Sequence, residues 1–266
     1  MTSSPTTTSS PTTSSLDPRS VLGRIVLILD AFEVGDRAVG LSELARRTGL
    51  PKATVHRMCQ DLVAARLLTP SPPGYSLGRG LFELGLRASV EHTLLEVAAP
   101  FMQDLYTRTR ETVHLGVPDG DEVVYLSKIG GHRQAPAPSR IGGRMPLYCT
   151  AIGRVLLAHD EPATVDRVLS GRLVRRTPRT LVGPGLLRAQ LDRVRAEGVA
   201  FEYEESSTGI ACIAAPVLDA DGRPLAAVSI TGPTSRFRPG EHVGPVRAAA
   251  VGVESALAQR VSSNSR

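Results

Sequence analysis

One stretch decides the fold of the first part of this chain: Leu41-Ser-Glu-Leu-Ala-Arg-Arg-Thr-Gly-Leu-Pro-Lys-Ala-Thr-Val-His-Arg-Met-Cys-Gln60. Apolar side chains recur at helical spacing in both halves of it. Between the halves, Gly49 can adopt the left-handed conformation that closes a helix, and Pro51 fits the first turn of the next one. The stretch therefore predicts two short amphipathic helices joined by a tight turn, a helix-turn-helix. The apolar positions are Leu41, Leu44, Ala45, Val55, Met58, Cys59 and Leu62.

The outward positions of the second helix indicate what it contacts. They carry small, hydrogen-bonding or basic side chains, which suit phosphates and base edges in the major groove of double-stranded DNA. Two helices joined by a glycine-containing turn also occur in all-α domains, where exposed charges are only a solvated face. The flanking sequence favours DNA binding. The candidate DNA-binding residues are Lys52, Ala53, Thr54, His56, Arg57 and Gln60.

The flanks supply the remaining parts of a winged helix-turn-helix. Upstream, apolar residues at helical spacing over 20–33 predict a third helix. Downstream, the run from Arg66 to Leu77 is typical of strand, tight turn and strand, with the turn around Pro72–Gly74, and predicts a β-hairpin wing. We expect residues 19–80 to form a DNA-binding domain, with the helix that begins at Pro51 in the major groove and the wing on the DNA backbone.

Charge is distributed unevenly along the chain. Residues 19–80 carry nine Lys and Arg against five Asp and Glu, whereas residues 81–266 carry 22 against 20. A net positive N-terminal domain favours a nucleic acid as its partner. The chain has 266 residues, which is too long for one such domain, and 41% of them are hydrophobic. A second domain with a sizeable core is therefore expected.

Composition argues against several classes of protein. The cysteines Cys59, Cys149 and Cys212 form no Cys-x-x-Cys pair and the histidines show no metal-ligand spacing, so we expect no disulfide framework, metal site or cofactor. No apolar run reaches 18 residues and no signal-peptide core is present, which predicts a soluble, cytoplasmic protein without a membrane partner. Residues 1–18 are almost entirely Ser, Thr and Pro, which predicts a disordered tail.

Beyond the wing, helical patterns give way to strand patterns. A helix over 80–91 would serve as a linker helix (81–93), and a second helix over 94–109 would open a domain that spans 94–264. Antiparallel strands flanked by terminal helices indicate an α+β domain. The further predicted elements are strands at 112–117, 122–129, 199–204, 209–218 and 224–231, a loop entering a helix over 145–158, and helices over 186–197 and 244–261.

From about Ser20 to its end, the chain resembles the IclR family of bacterial transcriptional regulators. Besides the helix-turn-helix, two motifs carry the resemblance: Gly209-Ile-Ala-Cys-Ile-Ala-Ala-Pro-Val217 and Ser229-Ile-Thr-Gly-Pro-Thr-Ser-Arg-Phe237. The resemblance implies a winged helix-turn-helix, a linker helix and a C-terminal effector-binding domain with a GAF/profilin-like sheet. It also implies dimers or dimers of dimers that repress or activate catabolic and metabolic genes. The other matching stretches are 75–85, 111–127, 145–157 and 177–180.

Symmetry follows from the small size of a winged helix. One such domain contacts too few base pairs to select a single site in a genome, so we expect a two-fold homodimer on a pseudo-palindromic operator. The apolar faces of the helices over 20–33 and 81–91 are the expected dimer surface. We expect the regulator to be a repressor rather than an activator.

The resemblance also implies an effector pocket in the second domain. Its positions carry over to Met145, Ala151, Ile152, Glu202, Ile210, Cys212, Ser229 and Thr231. The chemistry is consistent with this, because Ser229 and Thr231 lie two apart on one strand and face the same side. Backbone amides at the start of the helix near 150–152 suit a carboxylate, so the expected effector is a small carboxylate-bearing metabolite. Hydroxyls on a half-buried strand are also common as satisfied core groups.

Two positions depart from the family pattern. Ala211 stands where a basic residue usually precedes the strand cysteine, and Tyr148 stands where histidine is common. We expect both changes to make one side of the pocket less polar. An aromatic acid and a short keto or hydroxy acid both remain possible effectors.

Two other functions stay open. A cysteine-dependent enzyme fused to the DNA-binding module would use Cys212 or Cys149 as nucleophile, with a base such as His114 to form the thiolate. Most cysteines in apolar strands are small core residues, so we expect no enzyme. Alternatively, the second domain only oligomerises, and then no metabolite would raise its melting temperature.

Overall fold

The computed structural model describes residues 16–87, 89–130 and 137–264. The chain forms two compact units, the first ending at residue 88 and the second beginning at Ser89. This boundary falls within the segment 81–93 that the sequence predicts as a linker. Residues 1–15 of the predicted disordered tail lie outside the described residues.

The first unit is built on three helices: α1 (Val21–Asp30), α2 (Leu41–Thr48) and α3 (Lys52–Ala64). Gly49 has a φ of 69° and ends α2 in the left-handed conformation, as the sequence predicts. Pro51 lies one residue before α3, as its N-cap, and not within its first turn. The helices enclose a small apolar core. Its buried side chains are Ile28, Val39, Leu44, Val55, Met58, Cys59, Leu62 and Leu68.

The predicted wing is present as a hairpin of β1 (Leu68–Ser71) and β2 (Gly74–Leu77). Two backbone hydrogen bonds fix it to the segment before α2: the amide of Val39 donates to the carbonyl of Tyr75 (2.8 Å), and the amide of Tyr75 donates to the carbonyl of Val39 (3.0 Å). A Cβ atom on Gly74 would lie 2.1 Å from the carbonyl oxygen of Val39. Only glycine permits so close an approach, so Gly74 holds the hairpin against the helix-turn-helix.

The two helices after the wing differ in extent from the prediction. Helix α4 spans Arg79–Gly85, and helix α5 spans Ser89–Thr109. The predicted linker helix therefore ends at Gly85 instead of about residue 91, and the next helix begins at Ser89 instead of residue 94. Glycine is a poor residue inside a helix, at a cost of about 1 kcal/mol relative to alanine. A position at the end of α4 therefore suits Gly85 better than the predicted position inside a longer helix.

The second unit contains a six-stranded antiparallel sheet in the order β5-β4-β3-β8-β7-β6. The register places Ser229 of β8 opposite His114 of β3, and Thr231 of β8 opposite Cys212 of β7. Polar side chains from three central strands therefore lie next to one another. The strands are β3 (Thr112–Asp119), β4 (Glu122–Ile129), β5 (Arg144–Pro146), β6 (Ala200–Tyr203), β7 (Ile210–Leu218) and β8 (Pro224–Pro233).

Helices cover both faces of this sheet, which gives the predicted α+β fold. Ile213 and Ile230 pack on the side of α5, whereas Ala214 and Ala227 pack on the side of α6. Because side chains alternate along a strand, Ser229 and Thr231 face α6. The prediction missed α7. The helices on the face with Ala214 and Ala227 are α6 (Ala151–His159), α7 (Pro162–Ser170) and α8 (Pro184–Glu197). On the opposite face, α9 (Val243–Asn264) packs with α5.

Candidate functional site

The outward face of α3 is the candidate nucleic-acid interface. Of the six residues predicted to bind DNA, five are exposed and Thr54 is half-buried. The opposite face of the helix is buried in the core, with Val55 and Cys59 inaccessible to solvent. Within residues 16–87, no ion pair engages the side chains of Lys52 or Arg57. Their charges remain available to a partner.

The arginines of α2, in contrast, are engaged with carboxylates. Arg46 Nε donates to Glu43 Oε2 at 2.7 Å, and Arg47 Nη1 donates to Asp36 Oδ2 at 2.5 Å. Hydrogen bonds from Arg46 and Arg47 lower the pKa of Glu43 to about 2. The positive charges of α2 are therefore paired within the helix-turn-helix domain, whereas those of α3 face outward.

A groove of about 520 Å³ lies between α3 and the wing. His56 and Gln60 line it from α3, and Pro73, Gly74 and Tyr75 line it from the wing. The two elements expected to contact DNA thus border one concave surface.

A cavity of about 20 Å³, lined mostly by buried side chains, lies in the second unit, between the sheet and the start of α6. The structure brings together around it all eight residues predicted for the effector pocket. These are Met145, Ala151, Ile152, Glu202, Ile210, Cys212, Ser229 and Thr231. Thr150, at the predicted start of the helix, lines the cavity as well. Six further lining residues were not predicted: His114, Tyr125, Ala137, Pro138, Ser139 and Ser206.

His114 joins the two predicted hydroxyls. Its Nδ1 lies 3.4 Å from Ser229 Oγ and 3.5 Å from Thr231 Oγ1, and its Nε2 shares a hydrogen bond of 2.7 Å with Ser139 Oγ. Burial, with a smaller effect from the charge of Lys128, lowers the pKa of His114 to about 3. The imidazole is therefore neutral near pH 7. Its Nδ1 faces the hydroxyls of Ser229 and Thr231, and its Nε2 faces the hydroxyl of Ser139.

Glu202 places a buried carboxyl group at the cavity. Its Oε1 accepts the backbone N–H groups of Glu205 (2.6 Å) and Ser206 (3.0 Å), whereas its Oε2 has no hydrogen-bond partner among the described residues. Burial raises the pKa of Glu202 above its ordinary value, although the backbone hydrogen bonds and the adjacent thiol of Cys212 act in the opposite direction. One oxygen of this carboxyl group is thus left for a ligand or a proton.

The start of α6 supplies hydrogen-bond donors. Thr150 caps the helix, since its Oγ1 accepts the N–H of Gly153 at 3.0 Å. The amides of Ala151 and Ile152, both at the cavity, find no acceptor within the part of the chain that the structure describes. Free amides at the positive end of a helix dipole suit a carboxylate.

Neither of the two positions that depart from the family pattern lines the cavity, contrary to our expectation. Ala211 precedes Cys212 on β7, so its side chain faces the opposite side of the sheet and packs in the core that the sheet forms with α5 and α9. The hydroxyl of Tyr148 donates to the carbonyl of Val174 at 2.7 Å, and Tyr148 is not among the described lining residues. The polarity of the lining is set by other positions.

The cysteines are in surroundings that disfavour thiolates. Burial raises the pKa of Cys59 to about 11 and that of Cys149 to about 12, and it raises the pKa of Cys212 well above its ordinary value. A nucleophilic cysteine needs the opposite shift. Among the described residues, no group of three or more His, Cys, Asp or Glu side chains could hold a metal ion. None of the helices in those residues is long and apolar enough to cross a membrane.

A winged helix-turn-helix with a free basic face, in one chain with an α+β unit whose cavity is bordered by hydroxyls and a carboxyl group, defines a two-domain DNA-binding transcriptional regulator. Comparison with known proteins gives the family. The model of the IclR helix-turn-helix domain matches residues 21–72, and the model of the C-terminal domain of bacterial IclR transcriptional regulators matches residues 87–254. The chain belongs to the IclR family of bacterial transcriptional regulators.

Individual relatives match along most of their length. The regulator KdgR of Escherichia coli K12 is 40% identical over 205 residues, which cover 76% of this chain and 78% of KdgR. The repressor AllR of Klebsiella pneumoniae is 32% identical over 243 residues, 89% of each chain. The crystal structure of an IclR homologue from Microbacterium hydrocarbonoxydans in complex with 4-hydroxybenzoate is 33% identical, with a TM-score of 0.85, and covers 90% of this chain and 100% of that one.

Proposed function

We propose that this chain is a transcriptional repressor whose operator affinity is controlled by a small carboxylate-bearing metabolite bound in the cavity of the second unit. The observation that carries the proposal is the convergence of the free amides of Ala151 and Ile152 and the hydroxyls of Ser229 and Thr231 on one cavity that is lined mostly by buried side chains. These groups offer a carboxylate several donors away from water. Two relatives support it: AllR is named a repressor, and the Microbacterium homologue binds an aromatic acid.

The small volume of the cavity explains how a bound acid can alter DNA affinity. About 20 Å³ is room for about one water molecule, so an organic acid must move the walls apart to enter. A ligand can alter DNA affinity only through its different affinities for two arrangements of the protein, typically with about 1–3 kcal/mol of coupling. A cavity that widens on binding provides such a pair of arrangements.

We assign DNA recognition to the first unit. Helix α3 enters the major groove with Lys52, Thr54, His56 and Arg57 at the DNA, and the wing around 72–74 lies on the backbone. Ala53 and Gln60 lie on the same outward face, and Gln60 borders the groove beside the wing.

A homodimer on a pseudo-palindromic operator completes the proposal. Val21 and Leu22 of α1 and Phe82 of α4 are large apolar side chains that are 70%, 55% and 69% exposed. Large exposed apolar side chains are candidates for protein contacts, so we assign the dimer surface to these two helices. Sedimentation of the full chain at micromolar concentration, with and without operator DNA, decides this point: a monomer in both conditions contradicts it.

A scan of organic acids on the full chain tests the regulatory function. We expect at least one acid to raise the melting temperature and to lower operator affinity in the same concentration range, since a ligand that binds only the folded state stabilises it. If acids bind without changing operator affinity, the cavity is not the regulatory site. If none of the acids binds, the carboxylate effector is wrong, and the result favours a second unit that only oligomerises.

A further inference from the structure

The charges at the cavity constrain how an anion can bind there. The lining includes one acidic side chain, Glu202, and no Lys or Arg among the described residues. A ligand carboxylate in so small a space would meet this carboxyl group at short range and away from water. Two carboxylates in such surroundings do not both stay ionised, and they share a proton instead.

We propose that the cavity takes up an anionic effector together with one proton, and that the carboxyl group of Glu202 holds this proton. The proposal rests on the proposed function, because it specifies the regulation of the same cavity. The protonated Oε2 of Glu202 donates a hydrogen bond to the carboxylate of the effector, and so gains the partner that it lacks in the structure. The ionised form repels the effector. The regulator therefore responds to its metabolite more strongly as pH falls.

The cations nearest to Glu202 do not remove the need for a proton. Arg154 of α6 forms an ion pair with the neighbouring Glu205, with Arg154 Nη1 2.7 Å from Glu205 Oε1. Arg176 donates from Nε to the carbonyl of Ser206 at 3.4 Å, but its side chain is exposed, so water and salt screen its charge.

Lys128 is the other cation near the cavity, on the opposite side. Its Nζ donates to the carbonyl of Ser139 at 2.7 Å, next to His114. Burial lowers the pKa of Lys128 and brings the pKa of His114 to about 3. The amine is thus engaged with a wall carbonyl, and the imidazole brings no charge of its own to the cavity.

The remaining titratable groups that the structure describes around Glu202 are neutral. Cys212 of β7 lies beside it, Tyr125 reaches the cavity from β4, and Cys149 precedes α6. Burial raises the pKa of all three groups, so none of them is ionised near pH 7. None of them can supply the positive charge that a second carboxylate requires.

The sign of the pH dependence follows from the uptake of a proton. Burial raises the pKa of Glu202 in the free protein, and the negative charge of the effector raises it further in the complex. Binding is therefore strongest below the pKa of the free protein and is lost as pH rises through the pKa of the complex. Between these two values the apparent Kd increases about tenfold per pH unit.

Isothermal titration of the full chain with acetate, pyruvate and 4-hydroxybenzoate tests the proposal. The carboxylates of all three probes stay ionised from about pH 5.5 to about pH 8.5, so the probes themselves add no pH dependence. We expect the Kd of each probe that binds to increase with pH in the wild type. Glu202→Gln carries an amide N–H in place of the acidic proton, so its affinity should stay constant at the acidic wild-type value. Asp192→Asn, an exposed carboxylate on α8, serves as the charge-matched control and should keep the wild-type dependence.

Each other outcome decides against the proposal. A probe that binds the wild type equally well at every pH contradicts it and leaves the proposed function intact. A pH dependence that persists in Glu202→Gln places the proton on another group, such as His114. If no probe binds at any pH, the anionic effector of the proposed function fails as well. If Glu202→Gln does not fold, calorimetry of the wild type in two buffers of different ionisation enthalpy counts the protons taken up directly, and a count of zero refutes the proposal.

Discussion

Arg154 and Glu205 form a buried two-point ion pair in the second unit, with Arg154 Nη1 2.7 Å from Glu205 Oε1. Arg154 is inaccessible to solvent, and Glu205 is 6% exposed. Arg154 also donates to the carbonyls of Tyr148 at 3.0 Å and Phe201 at 3.2 Å. The pair joins α6, which supplies free amides to the cavity, to the segment after β6, which follows Glu202. A charge pair outside the lining thus links two elements that border the cavity.

Removing the charge of Glu205 should destabilise the second unit. In Glu205→Gln the buried guanidinium of Arg154 loses its counter-charge, and we expect the free energy of unfolding to fall by about 3–5 kcal/mol in urea denaturation. Asp121→Asn is the matched control, because Asp121 pairs with Arg167 at 2.9 Å with both side chains more than half exposed. That variant should change stability by less than about 1 kcal/mol. Equal, small effects in both variants would contradict this role for the buried pair.

Gly74→Ala should displace the wing. The new Cβ would lie 2.1 Å from the carbonyl oxygen of Val39, and such overlap typically costs about 1–3 kcal/mol. We expect a lower melting temperature and weaker operator binding. Gly185→Ala, at an exposed position of α8, is the control, because no atom lies within 4 Å of its added Cβ and alanine favours the helix. Unchanged melting and operator affinity in Gly74→Ala would show that the wing does not need this close approach.

The helix-turn-helix could be predicted from the sequence because its signals are local. The left-handed turn needs only Gly49, and the buried face of α3 follows from helical spacing, with Val55 and Cys59 fully inside. The break after Gly85 was missed because apolar spacing continues beyond that residue, although glycine weakens a helix.

The cavity could be predicted only in part. Strand alternation places Ser229 and Thr231 on one face, but the family resemblance was needed to bring α6 and Glu202 to them. His114 and Tyr125 were missed because they lie on β3 and β4, and no local pattern reveals that β3 pairs with β8. Contacts between strands distant in sequence depend on the register of the whole sheet.

DNA binding should depend on the free charges of α3. We expect Arg57→Ala to cost about 1–3 kcal/mol of operator affinity if the side chain reads a base, and Lys52→Ala to lower the salt dependence by about one phosphate contact. Fluorescence anisotropy at several salt concentrations measures both quantities. Arg193→Ala, an exposed charge on α8, should leave both unchanged. If neither α3 variant alters affinity or salt dependence, α3 is not the DNA contact.

The most direct test of ligand control is operator binding across a titration of the acid found in the scan, for the wild type and for Ser229→Ala combined with Thr231→Val. Without effector, we expect both proteins to bind the operator equally well, because the hydroxyls lie in the cavity and not in the DNA-binding unit. With effector, only the wild type should release DNA. Ser170→Ala with Thr107→Val, two exposed hydroxyls on α7 and α5, should behave like the wild type. An unchanged response in the cavity variant would place the effector elsewhere, and loss of operator binding without effector would mean that the hydroxyls maintain the fold instead.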